Sequence, residues 1–470
     1  MTRNNAPERS NMRPKMRRTA STTCLLTLAC AAGIIAVPLG MRAQSGPTFS
    51  FNLSQAIDLA LKQNRSLKLA QLSITDSEHK KEVARSAYFP HIKNESSILH
   101  LTELAGVDIP AGAFGVPPAT GPIPSTGVII DQGALTTYTS GTQLIQPFTQ
   151  MFKIHESNRA ATADINTAKI QLTQAENEVA LKVRQLYFGI LIAQLKLEAA
   201  QDEVKASEVK NQESIDAVAN GRALDVTALE SRASLLEAKQ TVLTQTLQIH
   251  DLTLSFDDLL GLPLTTKPAL DPDTSAMTLT LPTRLEGIRI ALDQSPSVQA
   301  AQQAVIKAKA GLGAAKDAYI PDVTGLARYS YQSGVPLLVH NFGTFGFNLT
   351  YDLFDGGRRT AEIRDARTLL SQAQVNLDKV QEEVSVDVES AYDKVEQLQS
   401  LVEVAQEALT VRTEAARLAD AQYEQNAALA SAQSEAHAKA TSAKASLLEA
   451  TLGLSLAQGD LKRAIGQMPR

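Results

Sequence analysis

Seven histidines, His79, His91, His100, His155, His250, His340 and His437, are scattered so that no two stand at the spacing that lets one helix face grip a metal. Cys24 and Cys30 are the only cysteines, which excludes a disulfide scaffold and a thiolate-ligated metal site. Gly311-Leu312-Gly313 sits inside a helical pattern and lacks the Gly-Lys-Ser/Thr of a phosphate loop, so its small residues suit close helix packing. Asp355-Gly356-Gly357 reads as a turn with a capping carboxylate, not as a phosphate cradle. No serine, histidine and acid are arranged as a nucleophile with its base. The side chains therefore predict no enzyme, no cofactor and no metal. With 45 basic against 50 acidic residues, the charge is also too balanced for a nucleic-acid binder.

The elements carrying these residues point to export. The 470 residues are 44% apolar but only 4% aromatic, a composition leaning on alanine, valine and leucine that suits closely packed helices. Arg3, Arg9, Arg13, Lys15, Arg17 and Arg18 precede a 14-residue apolar stretch, Cys24 to Val37, followed by Pro38, Gly40 and Ala43. That order is a signal peptide over 1–43, too short for the roughly 20 residues of a membrane-spanning helix. Its removal takes both cysteines and leaves a net charge of −11. No later stretch is apolar enough to cross a bilayer as a helix, so any membrane entry must be made by strands.

The chain reads as a duplication. Ala87-Tyr88-Phe89-Pro90 returns as Ala318-Tyr319-Ile320-Pro321, and Asn52 with Gln55 aligns with Thr283 and Glu286, each pair readable as a helix cap with a reaching partner. Further on, Tyr187 matches Tyr392, Gly221 matches Asn426 and Glu230 matches Glu435. Two structural repeats follow, 44–282 and 283–470. Each is expected to hold a helix, a β-hairpin (about 88–150 and 319–354) and a helical hairpin (about 155–258 and 358–466).

Residues 358–424 carry an apolar seam from Ile363 to Leu409 and a second one at Leu401, Val404, Ala408, Val411, Ala415 and Leu418. Two seams fit a helix with a neighbour on each side, as in the wall of a tube. At 1.5 Å per residue this helix is about 100 Å long, and the helices expected over 283–318 and 226–258 are about half that. The strand segments, 88–152 and 319–354, hold 14 of the 21 aromatics. Phe345, Phe347, Leu349, Tyr351 and Leu353 alternate with polar residues, as a strand between lipid and a wet lumen requires. The first copy's strands alternate poorly and are assigned by the repeat. Between them, about 102–134, an irregular extracellular loop is expected from its glycines and prolines. Four strands cannot close a barrel, so copies of the chain must pool them.

The duplicated layout, the Tyr-Phe/Ile-Pro strand starts, and Leu353-Phe354-Asp355-Gly356-Gly357-Arg358-Arg359 entering a long helix resemble the TolC-like outer-membrane efflux protein family. The first copy departs from the last motif, with Phe148-Thr149-Gln150-Met151 at that place. The resemblance implies a mainly α homotrimer: a twelve-stranded outer-membrane β-barrel continued by a twelve-helix α-barrel tunnel in the periplasm. It implies the passive exit duct of a tripartite efflux or type I secretion system, fed by an inner-membrane pump through a periplasmic adaptor (membrane fusion) protein. The competing reading is a periplasmic adaptor or coiled-coil stalk; an adaptor normally has one helical hairpin per chain, where this chain has two.

A duct needs a closed end. The helix-to-helix turns at Gly221 and Asn426, residue types that tolerate a left-handed helix end, are the expected tips. Family members often place acids on the returning helix just past this turn, and the matching position is Glu435, with Glu230 its repeat equivalent and Asp225 a further candidate; Ala432 stands where some members carry another acid. Asp355, Gly356 and Gly357 form the expected strand-to-helix junction.

Overall fold

The computed structural model describes residues 50–104, 106–131, 133–264, 266, 268–271, 281–334 and 339–467, so the expected signal peptide lies outside the described residues. Two consecutive helices lead into each strand pair: α1 (Leu53–Gln63) and α2 (Arg65–Ser86) in the first copy, α5 (Arg284–Gln294) and α6 (Pro296–Asp317) in the second. The expected single helix over 283–318 is thus broken. Pro296 drives the preceding Ser295 out of the helical region, to ψ 127°. In the first copy Asn64 sits at the same ψ and accepts from the backbone N–H groups of Ser66 and Leu67. The two expected caps also part company. Asn52 and Gln55 form a reciprocal capping box, but Thr283 makes no side-chain cap, and the Glu286 carboxylate that would reach back is taken on both oxygens by Arg289.

Two long helices, α3 (Met151–Ala219) and α7 (Arg358–Glu424), each turn back into a shorter one, α4 (Asp225–Leu260) and α8 (Ala430–Ala464). Near its start α3 meets α2 and α6, where Asn158 donates to the Ala84 carbonyl and Lys307 pairs with Asp164. Further along it meets α4 and α8, through Lys239–Glu208 and Lys196–Glu449. With α7 packed on α6 and on α8, the helices form one layer, ordered α2-α3-α6-α7 over one half and α4-α3-α8-α7 over the other.

Two apolar cores sit midway along this layer. One gathers Ile57, Ala60, Val183, Tyr187, Phe188, Phe256 and Leu260; the other gathers Val298, Val388, Leu461 and Ile465. Each fully buried large side chain contributes roughly 1.5–3 kcal/mol. The aligned tyrosines hold equivalent ties: Tyr187 donates to the Asp271 carbonyl and Tyr392 to that of Pro282.

The strands β2 (His91–His100), β5 (Thr136–Pro147), β7 (Asp322–Ser333) and β8 (Asn341–Thr350) form an antiparallel sheet in the order β2-β5-β7-β8. Cross-strand register places Ile92, Leu144, Ala327 and Phe345 in one row. Phe345, Phe347 and Leu349 on that face are 90%, 78% and 66% exposed, so nothing among the described residues covers them. The first copy's polar residues on the same face satisfy one another: Ser96 and Ser140 share a hydrogen bond of 2.9 Å, and Asn94 donates to Thr142 at 2.9 Å. All the Lys, Arg, Asp and Glu of these strands, namely Lys93, Glu95, Asp322 and Arg328, lie on the opposite face. Gly325 leaves space for Phe148 to reach across and meet Phe347 at a centroid distance of 6.0 Å.

The loop between β2 and β5 is not irregular throughout. Within it β3 (Gly106–Ile109) and β4 (Val128–Asp131) pair antiparallel, Val107 opposite Ile130 and Ile109 opposite Val128. Their β-branched residues favour the pleat, a signal hidden by the surrounding glycines and prolines. A further two-residue parallel pair, β1 (Ser50–Phe51) with β6 (Ala269–Leu270), was also not expected.

Where β8 enters α7, Gly356 and Gly357 take φ 64° and 86°, left-handed values open to glycine. Asp355 accepts from the Gly357 N–H at 3.0 Å and from both the backbone and the Nε of Arg359, at 3.1 and 2.6 Å. The buried Arg359 guanidinium also donates to the Asp352 carbonyl and lies 4.8 Å from the Tyr351 ring centroid and 5.3 Å from that of Tyr319. The hydrogen bond from Arg359 holds the Asp355 carboxyl down at about 2.

Asp257 breaks the pattern of satisfied polar groups. It is fully buried near the end of α4, and neither carboxylate oxygen has a hydrogen-bond partner among the described residues. Burial pushes its pKa up to about 6. An acid whose folded value is raised favours the fold while protonated, so its ionisation removes stability as pH rises from about 4 through about 6. Asp257→Asn is therefore expected to raise the thermal transition at pH 7.5 more than at pH 4. An equal shift at both values contradicts the assignment.

Candidate functional site

The two helical hairpins end in turns of one design. At the first, Gly221 takes φ 67°, Gly221 N–H donates to the Val218 carbonyl at 2.9 Å and Arg222 N–H to that of Ala217 at 2.8 Å. At the second, Asn426 takes φ 55°, Asn426 N–H donates to the Tyr423 carbonyl at 2.9 Å and Ala427 N–H to that of Gln422 at 2.8 Å. These paired bonds satisfy the last carbonyls of α3 and α7 and reverse the chain. Leu224 and Leu429, which open the returning helices, are 74% and 66% exposed, so each tip presents a bare leucine. The sequence reading overlooks both.

The returning helices differ in how their first turn is neutralised. Asp225 lies in the first turn of α4, where a carboxylate meets the positive end of the helix dipole. The first turn of α8 holds no acid. Glu213 of α3 supplies one from outside, accepting from the Ser431 N–H at 3.0 Å. The tip of the second hairpin is thus tied to the first by a carboxylate that caps a helix not its own.

Glu230 and Glu435 stand in the second turn of α4 and α8. Glu230 is exposed and, among the described residues, joins no ion pair. Glu435 accepts from Lys439 at 2.5 Å, and that bond, with the charge of Lys210 on α3 nearby, holds its carboxyl below the ordinary range against partial burial. Glu435 therefore brings its own counter-ion. The expected junction residues, Asp355, Gly356 and Gly357, lie far along α7 from these tips, at the strand end of the helix.

A polar cluster above the tips is also missed by the sequence reading. Asp420 on α7 accepts from Gln433 at 2.8 Å and from His437 at 2.7 Å, both on α8, and these bonds lower its carboxyl, that from Gln433 most. Asp202 on α3 is lowered chiefly by Lys205 and also accepts from Thr441 on α8 at 3.0 Å. His437 and Gln433, one helical turn apart on α8, share the same Asp420 oxygen. With Lys196–Glu449 at 2.8 Å and Glu213–Ser431, three polar links now join α3 to α8 at matched antiparallel positions. The arrangement holds helices against one another.

The family described as outer membrane efflux protein matches residues 56–262 and 287–467. The outer membrane efflux protein BepC of Brucella suis is 24% identical over 397 residues, covering 81% of this chain and 77% of BepC. Among solved structures, the CmeC outer membrane channel of Campylobacter jejuni superposes with a TM-score of 0.68 at 16% identity, covering 88% of this chain and 85% of that one. The outer membrane protein VceC of Vibrio cholerae gives a TM-score of 0.67 at 17% identity, covering 89% and 97%. At these identities the structural likeness speaks for the fold.

Removing the borrowed cap isolates its contribution. Glu213→Ala is expected to cost about 1 kcal/mol locally and to speed hydrogen exchange across residues 431–433 roughly fivefold. Unchanged exchange there means that the link contributes nothing.

Proposed function

This chain belongs to the outer membrane efflux protein family, and we propose that it is the passive exit duct of a tripartite efflux or type I secretion system, working as a homotrimer. Cargo (small molecules, metals or polypeptides) is supplied by an inner-membrane pump through a periplasmic adaptor. A signal peptide over 1–43 is removed on export, and the duct is built from two structural repeats, 44–282 and 283–470.

One observation carries the reading. The sheet has an uncovered apolar face, a charged opposite face and two open edges, β2 and β8. Lipid accepts the first, a wet lumen the second, and only closure through further copies removes the third. The helical layer repeats the same incompleteness. Leu229, Leu236 and Leu243, seven residues apart, are exposed on α4 at one margin. Leu401, Val404, Val411 and Leu418 are exposed on α7 at the other. Sheet and helices thus ask for the same head-to-tail contact, α4 and β2 of one copy against α7 and β8 of the next. A rotation that closes gives a ring. Three copies supply twelve strands, the number the family resemblance implies.

In this ring the hairpin tips are the closed end and the docking point for the adaptor, with Leu224 and Leu429 as exposed apolar contacts. Glu435, Glu230 and Asp225 are the candidate constriction acids. Opening separates the tips by moving helix pairs against one another, with adaptor contacts favouring the open arrangement.

Planar-bilayer conductance of the mature protein tests this. Cation-selective pores are expected from the wild type. Glu435→Ala should lower that selectivity and Lys439→Gln, which strips the same carboxylate of its counter-ion, should raise it. Pores whose selectivity ignores both variants would remove Glu435 from the constriction; no pores at all would contradict the duct.

A further inference from the structure

Resting on the duct reading, we propose that Arg328 is a charge filter inside the barrel, favouring anionic cargo over small cations in the membrane-embedded part of the duct. Arg328 lies midway along β7, on the face that carries all the strand charges, in a row with Lys93, Gln143 and Thr344. Of the five titratable side chains on that face, two pairs are accounted for. Lys93 is bonded to Glu95, and Asp322 at the strand end pairs with Lys153 of α3 at 3.4 Å. His91 stands beside that end. Arg328 is the excess charge of this face: among the described residues it joins no ion pair, its hydrogen bond goes to the buried Ser330 Oγ at 3.1 Å, and the one strand carboxylate its charge reaches, Glu95, is already held by Lys93.

The strand next to it is shaped for this side chain. Gly141 stands opposite Ser330, and a Cβ there would lie 2.6 Å from Arg328 Nη2 and 2.7 Å from Nε. The missing side chain lets the guanidinium lie flat on the wall, fixed in place without narrowing the passage. In the first copy the matching strand offers no second arginine, so each chain contributes one such charge.

Three flat guanidiniums would act on every passing ion. Twelve strands about 4.8 Å apart and tilted about 40° give a barrel about 24 Å across at the backbone, with an opening about 7 Å in radius once side chains are allowed for. That radius is below the Debye length of about 10 Å at 0.1 M salt. An ion on the axis is therefore still within reach of the ring. The filter opposes the sign of the acids proposed at the tips, so the two ends of the duct bias traffic in opposite directions.

The test is the reversal potential of the full mature protein in planar bilayers under a KCl gradient. At 0.1 M salt, Arg328→Gln is expected to raise the K⁺/Cl⁻ permeability ratio about twofold, with Arg328→Lys restoring it. The difference should vanish near 1 M, where the Debye length is about 3 Å. Gly141→Ala should keep the ratio but lower single-channel conductance, because the guanidinium is pushed off the wall. A wild-type ratio in conducting Arg328→Gln pores at 0.1 M would overturn the filter and leave the duct standing. Should Arg328→Gln fail to insert, unchanged conductance in Gly141→Ala would overturn it instead. A wild-type protein that forms no pores overturns filter and duct together.

Discussion

An antiparallel sheet of four strands leaves a row of unpaired backbone N–H and C=O groups along β2 and another along β8. In water such edges are a liability; in a bilayer core each unsatisfied group costs several kcal/mol. The rest of the architecture is arranged around that debt. The sheet's apolar face is bare, its charges are gathered on the other side, and the helices continue the same two margins in seams of exposed leucine and valine. On the proposed reading a single chain is one arc of a ring, and its stability in a membrane belongs to the closed assembly.

The helical part supplies rigidity where the sheet supplies insertion. Its cores lie midway along α3 and α7, anchored by fully buried Phe256 and Leu260 on one side and Leu461 and Ile465 on the other. Toward the tips, apolar burial thins out and polar links take over: Asp420 with His437, Asp202 with Thr441, Glu213 with the start of α8. Polar links between half-exposed groups are individually weak. A hairpin end held this way separates at lower cost than the cores, which suits the opening end of the proposed duct.

Much of this was legible in the sequence because it follows from periodicity. The seam from Ile363 to Leu409 fixes a long helix, and the alternation from Phe345 to Leu349 fixes a strand with one apolar face, while Tyr351 and Leu353 continue the pattern past the strand's end at Thr350. The first copy's strands are less legible because Asn94, Ser96, Ser140 and Thr142 sit on the apolar face and are tolerable there only through each other. The break at Ser295 is announced by Pro296, a local signal that the surrounding helical pattern outweighs in a sequence reading. Asp420 and Gln433, six and seven residues from Asn426, could have been paired by counting from the turn; His437, one helical turn further on, could not. The cap that Glu213 lends to α8 could not, since it depends on α3 and α8 lying side by side, which neither repeat specifies alone. Arg328 reads as one polar residue among several until the register sets it over Gly141.

Backbone amide exchange in the two edge strands, measured on the mature protein in lipid discs, tests the central constraint most directly. Strands β2 and β8 should exchange as slowly as the interior pair β5 and β7, because neighbouring copies complete their ladders. Edge amides that exchange at unpaired rates while β5 and β7 stay protected would show that the sheet remains open, and the account would fail at its foundation.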